Sequence, residues 1–234
     1  MKSYIYQTSM ETARSLIEHL LAMMGDEPDK TFYFAFSGGS TPSLMFDIWA
    51  HEYKEVTPWE RMRIYWVDER CVPAESYESN YGTMRRLLLT KVEMPVEYVY
   101  PINGANRPTE EAKRYSSLVC HTVPVEEELP VFDAVLLGAG IDGHTSSIFP
   151  GQKYLLTSFH PYEVSVNPYN KQKRITMTGR LLFAARRIIF FVIGSDKANV
   201  VYDMLHSGDT GPAAYVAHHA ECVELFADAQ AYFR

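Results

Sequence analysis

Four short apolar runs, at residues 31–36, 63–67, 131–137 and 187–194, set the strongest limit on how this chain can fold. Thr31-Phe32-Tyr33-Phe34-Ala35-Phe36 shows no polar alternation, and neither does Ile188-Ile189-Phe190-Phe191-Val192-Ile193. A strand wetted on one side alternates apolar and polar residues, whereas a continuous run belongs to a strand buried on both faces. Helical spacing fills the gaps. Ala13, Leu16, Ile17, Leu20, Leu21 and Met24 recur at that spacing after a start at Ser9-Met10-Glu11-Thr12, with Gly25 at the C-cap position. Further helices are expected over 42–49, from Ser79-Asn80 to about Leu89, over 109–121 and 179–185, from Ser195 to about Leu205, and over 228–233. Short strands are expected over 162–166 and 223–226. Strands alternating with helices need crossover connections, which gives a three-layer, doubly wound α/β fold around a mostly parallel sheet. At 234 residues the expectation is one domain spanning 1–234.

The net charge of −7 argues against a general nucleic-acid or membrane-surface binder. An anionic ligand would need a local cluster of positive charge and backbone N–H groups. No apolar run approaches the roughly 18 residues of a membrane span, and the first residues lack the pattern of a signal peptide. Cys71, Cys120 and Cys222 are widely spaced and odd in number, as expected for reduced thiols in a cytoplasmic protein. Cys71 has no local histidine and reads as inert. His218-His219 lie near Cys222, but adjacent histidines rarely share one ion and no second ligand pair is visible. Neither a metal nor a cofactor is expected.

Three motifs stand at the ends of the apolar runs. Ser37-Gly38-Gly39-Ser40-Thr41-Pro42 follows the first, with Thr41 suited to an N-cap and Pro42 to N1. Strand, glycine loop and helix start form the arrangement in which free N–H groups and the helix dipole hold a phosphate. A plain tight turn with a good cap fits equally well. The second run ends in Asp68-Glu69-Arg70, where open α/β sheets bind ligands; the plain alternative is a solvated loop. The third opens into 138–151, where Gly138, Gly140 and Gly143 frame Asp142 and His144. The glycine spacing resembles a dinucleotide fingerprint, but it lies past mid-chain and Asp142 would face the pyrophosphate. Glu163, the acidic residue about 20 positions on, also precedes its apolar run. In such a loop a carboxylate can orient an imidazole, or the two can flank one substrate, as general acid–base work needs.

Together these stretches resemble the 6-phosphogluconolactonase family, within the Rossmann-like group that includes glucosamine-6-phosphate deaminase, ribose-5-phosphate isomerase A and the CoA transferases. The matching residues are 36–42, 66–73 with Ser79-Asn80-Tyr81, and 132–151. Arg174-Ile175-Thr176-Met177-Thr178 and Gly194-Ser195-Asp196-Lys197-Ala198 continue the match in order. Pro212-Ala213-Ala214-Tyr215-Val216 fits, while Glu224-Leu225-Phe226-Ala227-Asp228 departs from the family's tryptophan-containing strand end. The resemblance implies hydrolysis of 6-phospho-D-glucono-1,5-lactone, a small sugar phosphate, by a monomer or weak homodimer. It implies His144 as general base assisted by Asp142, with Arg70 stabilising the developing oxyanion and Asp68 holding Arg70 or a sugar hydroxyl. Ser37, Gly38, Gly39, Ser40, Thr41, Arg174 and Lys197 are then the phosphate site. The related deaminase loop resembles Asp-Gly-His-Ile-Ala-Phe-Asn-Glu-Pro. Here Phe149 stands in the glutamate's place, and Arg70 stands where the deaminase has tyrosine. Both departures favour the lactonase over the deaminase, and the intact Arg70 and His144 favour it over a silent sugar-phosphate sensor.

Overall fold

The apolar runs become neighbouring strands of one parallel sheet. A computed structural model describes residues 1–233. In chain order the strands are β1 (Lys2–Tyr6), β2 (Phe32–Phe36), β3 (Met62–Trp66), β4 (Asp68–Arg70), β5 (Val99–Tyr100) and β6 (Val125–Glu126). They continue with β7 (Leu129–Pro130), β8 (Ala134–Leu137), β9 (Tyr162–Val166), β10 (Lys173–Met177), β11 (Ile188–Val192) and β12 (Val223–Asp228). The α-helices are α1 (Ser9–Asp26), α2 (Ser40–Ile48), α3 (Asn80–Met84), α4 (Pro108–Thr122), α5 (Gly179–Ala184), α6 (Ala198–His206), α7 (Pro212–His219) and α8 (Ala229–Tyr232).

Seven strands lie in the order β1-β12-β11-β8-β2-β3-β5, and each neighbouring pair is parallel. Every residue of β8 and β11 is buried, as a sheet covered on both faces requires. The fold is the three-layer, doubly wound α/β arrangement. After β2 the chain steps one way to β3 and β5; from β8 it steps the other way through β11 to β12. The reversal falls between the neighbours β2 and β8, and at such a point the loops leaving the carboxyl ends diverge around a crevice. Those loops are the two glycine loops.

Several elements differ from expectation for identifiable reasons. α1 runs through Gly25 to Asp26. Its start is fixed by a reciprocal cap in which Glu11 N donates to Thr8 Oγ1 and Thr8 N to Glu11 Oε2. Residues 2–6 carry no buried pattern, yet they pair with β12 as an edge strand. Asp68-Glu69-Arg70 is not a solvated loop but the edge of a small antiparallel sheet, β4-β10-β9. Its register sets Arg174 opposite Arg70 and Thr176 opposite Asp68, so residues far apart in sequence share one face.

Candidate active site

One wall of the crevice is the start of α2. The helix begins two residues earlier than expected: Gly39 is its N-cap, at φ 109°, and no side chain caps it. That backbone conformation favours glycine. The first N–H groups of a helix have no partner within it, and here they border a cavity of about 190 Å³ lined by Ser37, Gly38, Gly39, Ser40 and Thr41. Gly38 cannot carry a side chain, since a Cβ would sit 2.0 Å from Asn80 Oδ1. Asn80 is itself tied to Asp68, donating from Nδ2 to the backbone O at 2.8 Å and to Oδ1 at 3.3 Å.

The opposite wall follows β8. Gly140 N donates to His144 O at 2.8 Å and Gly143 N to Gly140 O at 2.9 Å, closing a tight turn. Inside it, Asp142 Oδ1 lies 2.5 Å from His144 Nδ1. An ionised carboxylate only accepts, so Nδ1 carries the proton and Nε2 keeps its lone pair. Nε2 has no partner among the described residues, and the ring lines the cavity. A Cβ on Gly140 would fall 2.1 Å from His144 Nδ1, so glycine is what lets the pair form. Burial pushes the Asp142 carboxyl up, but the hydrogen bonds from His144 and Tyr169 together with the His144 charge outweigh it. They hold the group well below the usual carboxylate range. The buried Phe149 ring packs 4.8 Å from the imidazole.

The β4-β10 pair supplies the third wall. Arg70 Nη1 donates to Glu78 O at 2.6 Å, and Arg174 Nη1 to Ser147 Oγ at 3.4 Å. Asp68 accepts from Ser147 Oγ at 2.5 Å and lies 4.0 Å from Arg174. Of the two roles expected for Asp68, holding Arg70 or a sugar hydroxyl, the first gives way to a contact with Arg174. Burial lowers the Arg174 guanidinium, with Asp68 opposing and Arg70 adding to the shift. Glu69 points away and fastens β4 to α3, accepting from Arg70 N, Asn80 N, Tyr81 N and Ser79 Oγ at 2.7–2.9 Å. Lys197, just before α6, reaches the same cavity. The structure thus brings together every expected site residue except Asp142, which stands behind His144.

Ser37 Oγ, Arg70 Nε and Arg174 Nε are buried without a hydrogen-bond partner, and all three residues line this cavity. Buried polar atoms are nearly always paired. Two donors and a hydroxyl left open around a helix start suit an oxygen-rich anion. Asn80, Ser147, Phe149 and Tyr169 also shape the site, although sequence reasoning gave them no role there. Ser147 and Phe149 sit in the motif itself, whereas nothing local marks Tyr169, 27 residues from Asp142.

Residues 7–225 match the family model for glucosamine-6-phosphate isomerases/6-phosphogluconolactonase. The 6-phosphogluconolactonase of Treponema pallidum is 35% identical over 222 residues, 94% of this chain and 89% of that protein. That of Haemophilus influenzae is 37% identical over 176 residues, 74% of this chain and 72% of that protein. The structure of 6-phosphogluconolactonase from Trypanosoma brucei matches with a TM-score of 0.86 at 26% identity, covering 98% of this chain and 97% of that one. The chain belongs to the glucosamine-6-phosphate isomerase/6-phosphogluconolactonase family.

Proposed function

We propose that this protein is a 6-phosphogluconolactonase, hydrolysing 6-phospho-D-glucono-1,5-lactone to 6-phospho-D-gluconate in the oxidative pentose phosphate pathway. The observation that carries the reading is His144, bound at Nδ1 by Asp142 at 2.5 Å with Nε2 open to the cavity. Nε2 takes a proton from water as the water oxygen bonds to the lactone carbonyl carbon, and the carbonyl electron pair moves onto its oxygen. When that oxyanion collapses, the bond from carbon to the ring oxygen breaks and the imidazolium protonates the leaving oxygen. Arg70 and N–H groups of the glycine loop stabilise the oxyanion. Ser37, Gly38, Gly39, Ser40, Thr41, Arg174 and Lys197 hold the phosphate, and Asp68 keeps Arg174 in place. A positioned base supplies ~10²–10⁴-fold and one oxyanion donor ~10²–10³-fold.

At the position where the deaminase pattern carries glutamate, the buried Phe149 ring lies against the imidazole. A phenyl ring cannot relay a proton, which leaves a single histidine–carboxylate pair suited to hydrolysis. The reading includes a cytoplasmic location, supported by three unpaired cysteines. It also includes action as a monomer or weak homodimer. The test is acid release from freshly generated 6-phosphogluconolactone in a pH-stat, with glucosamine 6-phosphate as the control. Rapid acid release is expected; ammonia release without lactone opening would overturn the assignment.

A further inference from the structure

The hairpin joining β9 to β10 places an exposed tyrosine on the carboxylate behind His144. Its tip, residues 167–172, is closed by Asn167 N donating to Gln172 O and Lys171 N to Asn167 O, both at 2.9 Å. Tyr169 N donates to Asn167 Oδ1 at 2.8 Å, which orients the residue within the turn. The hairpin is fixed at its base by Gln152, which donates from Nε2 to Val166 O at 2.6 Å and accepts from Val166 N at 3.2 Å. It is fixed on the other side by Gln172 Nε2, which donates to Glu78 Oε2 at 3.2 Å. Glu78 is the residue whose carbonyl receives Arg70 Nη1. From this frame the Tyr169 hydroxyl donates to Asp142 Oδ2 at 2.9 Å. Tyr169 is 71% exposed, so core packing does not explain its position.

We propose that Tyr169 is a positioning residue for the reaction, acting through Asp142 on His144; this rests on the lactonase reading above. Asp142 Oδ1 is held by His144 twice, by Nδ1 at 2.5 Å and by the backbone N at 3.2 Å. Oδ2 has Tyr169 as its partner. A carboxylate gripped at both oxygens cannot turn about its last bond, so it presents a fixed acceptor to the imidazole. His144 then keeps its proton on Nδ1 and its lone pair toward the cavity, which is the form a base needs. Through Gln172 and Glu78 the same hairpin also steadies Arg70, so one turn braces the base and the oxyanion side together.

Tyr169→Phe keeps the ring and removes only the donor. Expected are a kcat lower by about three- to tenfold, the effect of one hydrogen bond, and a KM nearly unchanged. Long-range ¹H–¹⁵N NMR of the His144 ring reads the coupling without turnover. The wild type shows the Nδ1–H tautomer and Tyr169→Phe shows averaging of the two nitrogens. Unchanged ring-nitrogen shifts overturn the proposal whatever the rate does. An unchanged kcat, or a rise in KM alone, overturns it equally. Should the wild type fail to open the lactone, the proposed function falls, and the His144 resonances still decide whether Tyr169 orients the pair.

Discussion

Two concave regions of this molecule differ in a way that separates a site from a hollow. A basin of about 760 Å³ lies between α5, the β6–β7 turn and residues 156–159, bordered by Leu129, Phe159, Phe183 and Arg186. The crevice at the sheet reversal is about 190 Å³. In the basin, Arg186 pairs with Glu126 and lies 3.7 Å from Asp133. None of its lining residues holds a buried polar atom without a partner, whereas Ser37, Arg70 and Arg174 in the crevice each do. Volume therefore says little about where chemistry happens. Unpaired buried donors, a helix start without a side-chain cap and an imidazole with one free nitrogen say more.

The largest effect expected from a change in the crevice that leaves its functional groups intact is at Gly140. Gly140→Ala drives a Cβ to within 2.1 Å of His144 Nδ1 and 2.6 Å of Asp142 Oδ1, so the pair must shift. A displacement of about 1 Å costs roughly 10²-fold in rate; steady-state assays should show that loss in kcat. Lys197→Ala comes next. It should raise KM about tenfold, as loss of a charge-assisted contact does, while leaving unphosphorylated gluconolactone unaffected. Equal losses on both substrates would remove Lys197 from the phosphate site.

A smaller effect concerns stability. The Asp142 carboxyl is held below its ordinary value, so its contribution is complete above the unfolded value, near pH 4, and is lost as pH falls through the lowered folded value. Asp142→Asn should therefore melt below the wild type at pH 7, by about 2–4 °C for each kcal/mol lost. Thermal scans of the two proteins should converge in strong acid. The smallest effect belongs to the basin: Phe159→Ser should leave kcat/KM within about twofold of the wild type, as a surface change remote from the site does. A larger loss on the lactone would break the contrast between the two regions.

Much of this was legible because parallel strands buried on both faces cannot hide their composition. β2, β3, β8 and β11 stand in the sequence as continuous apolar runs, and the motifs at their carboxyl ends mark the crevice. The pair Asp142 and His144 was legible because a glycine loop keeps neighbours in sequence neighbours in space. What failed depended on distant pairing. β1 has no pattern of its own and exists by bonding to β12. Asp68 faces Arg174 because β4 and β10 align, which no local spacing encodes. The α2 cap moved from Thr41 to Gly39 because a residue at φ 109° could close the turn first. Tyr169 was invisible because a hairpin tip, not a periodic element, carries it to Asp142.

The most direct test sets His144→Ala beside the wild type in the pH-stat, with 6-phosphogluconate binding followed by calorimetry on both. Removal of a positioned base should cut lactone turnover by ~10²–10⁴-fold while product binding stays close to that of the wild type. Turnover unchanged in His144→Ala would contradict the role of the Asp142–His144 pair as the centre of the chemistry.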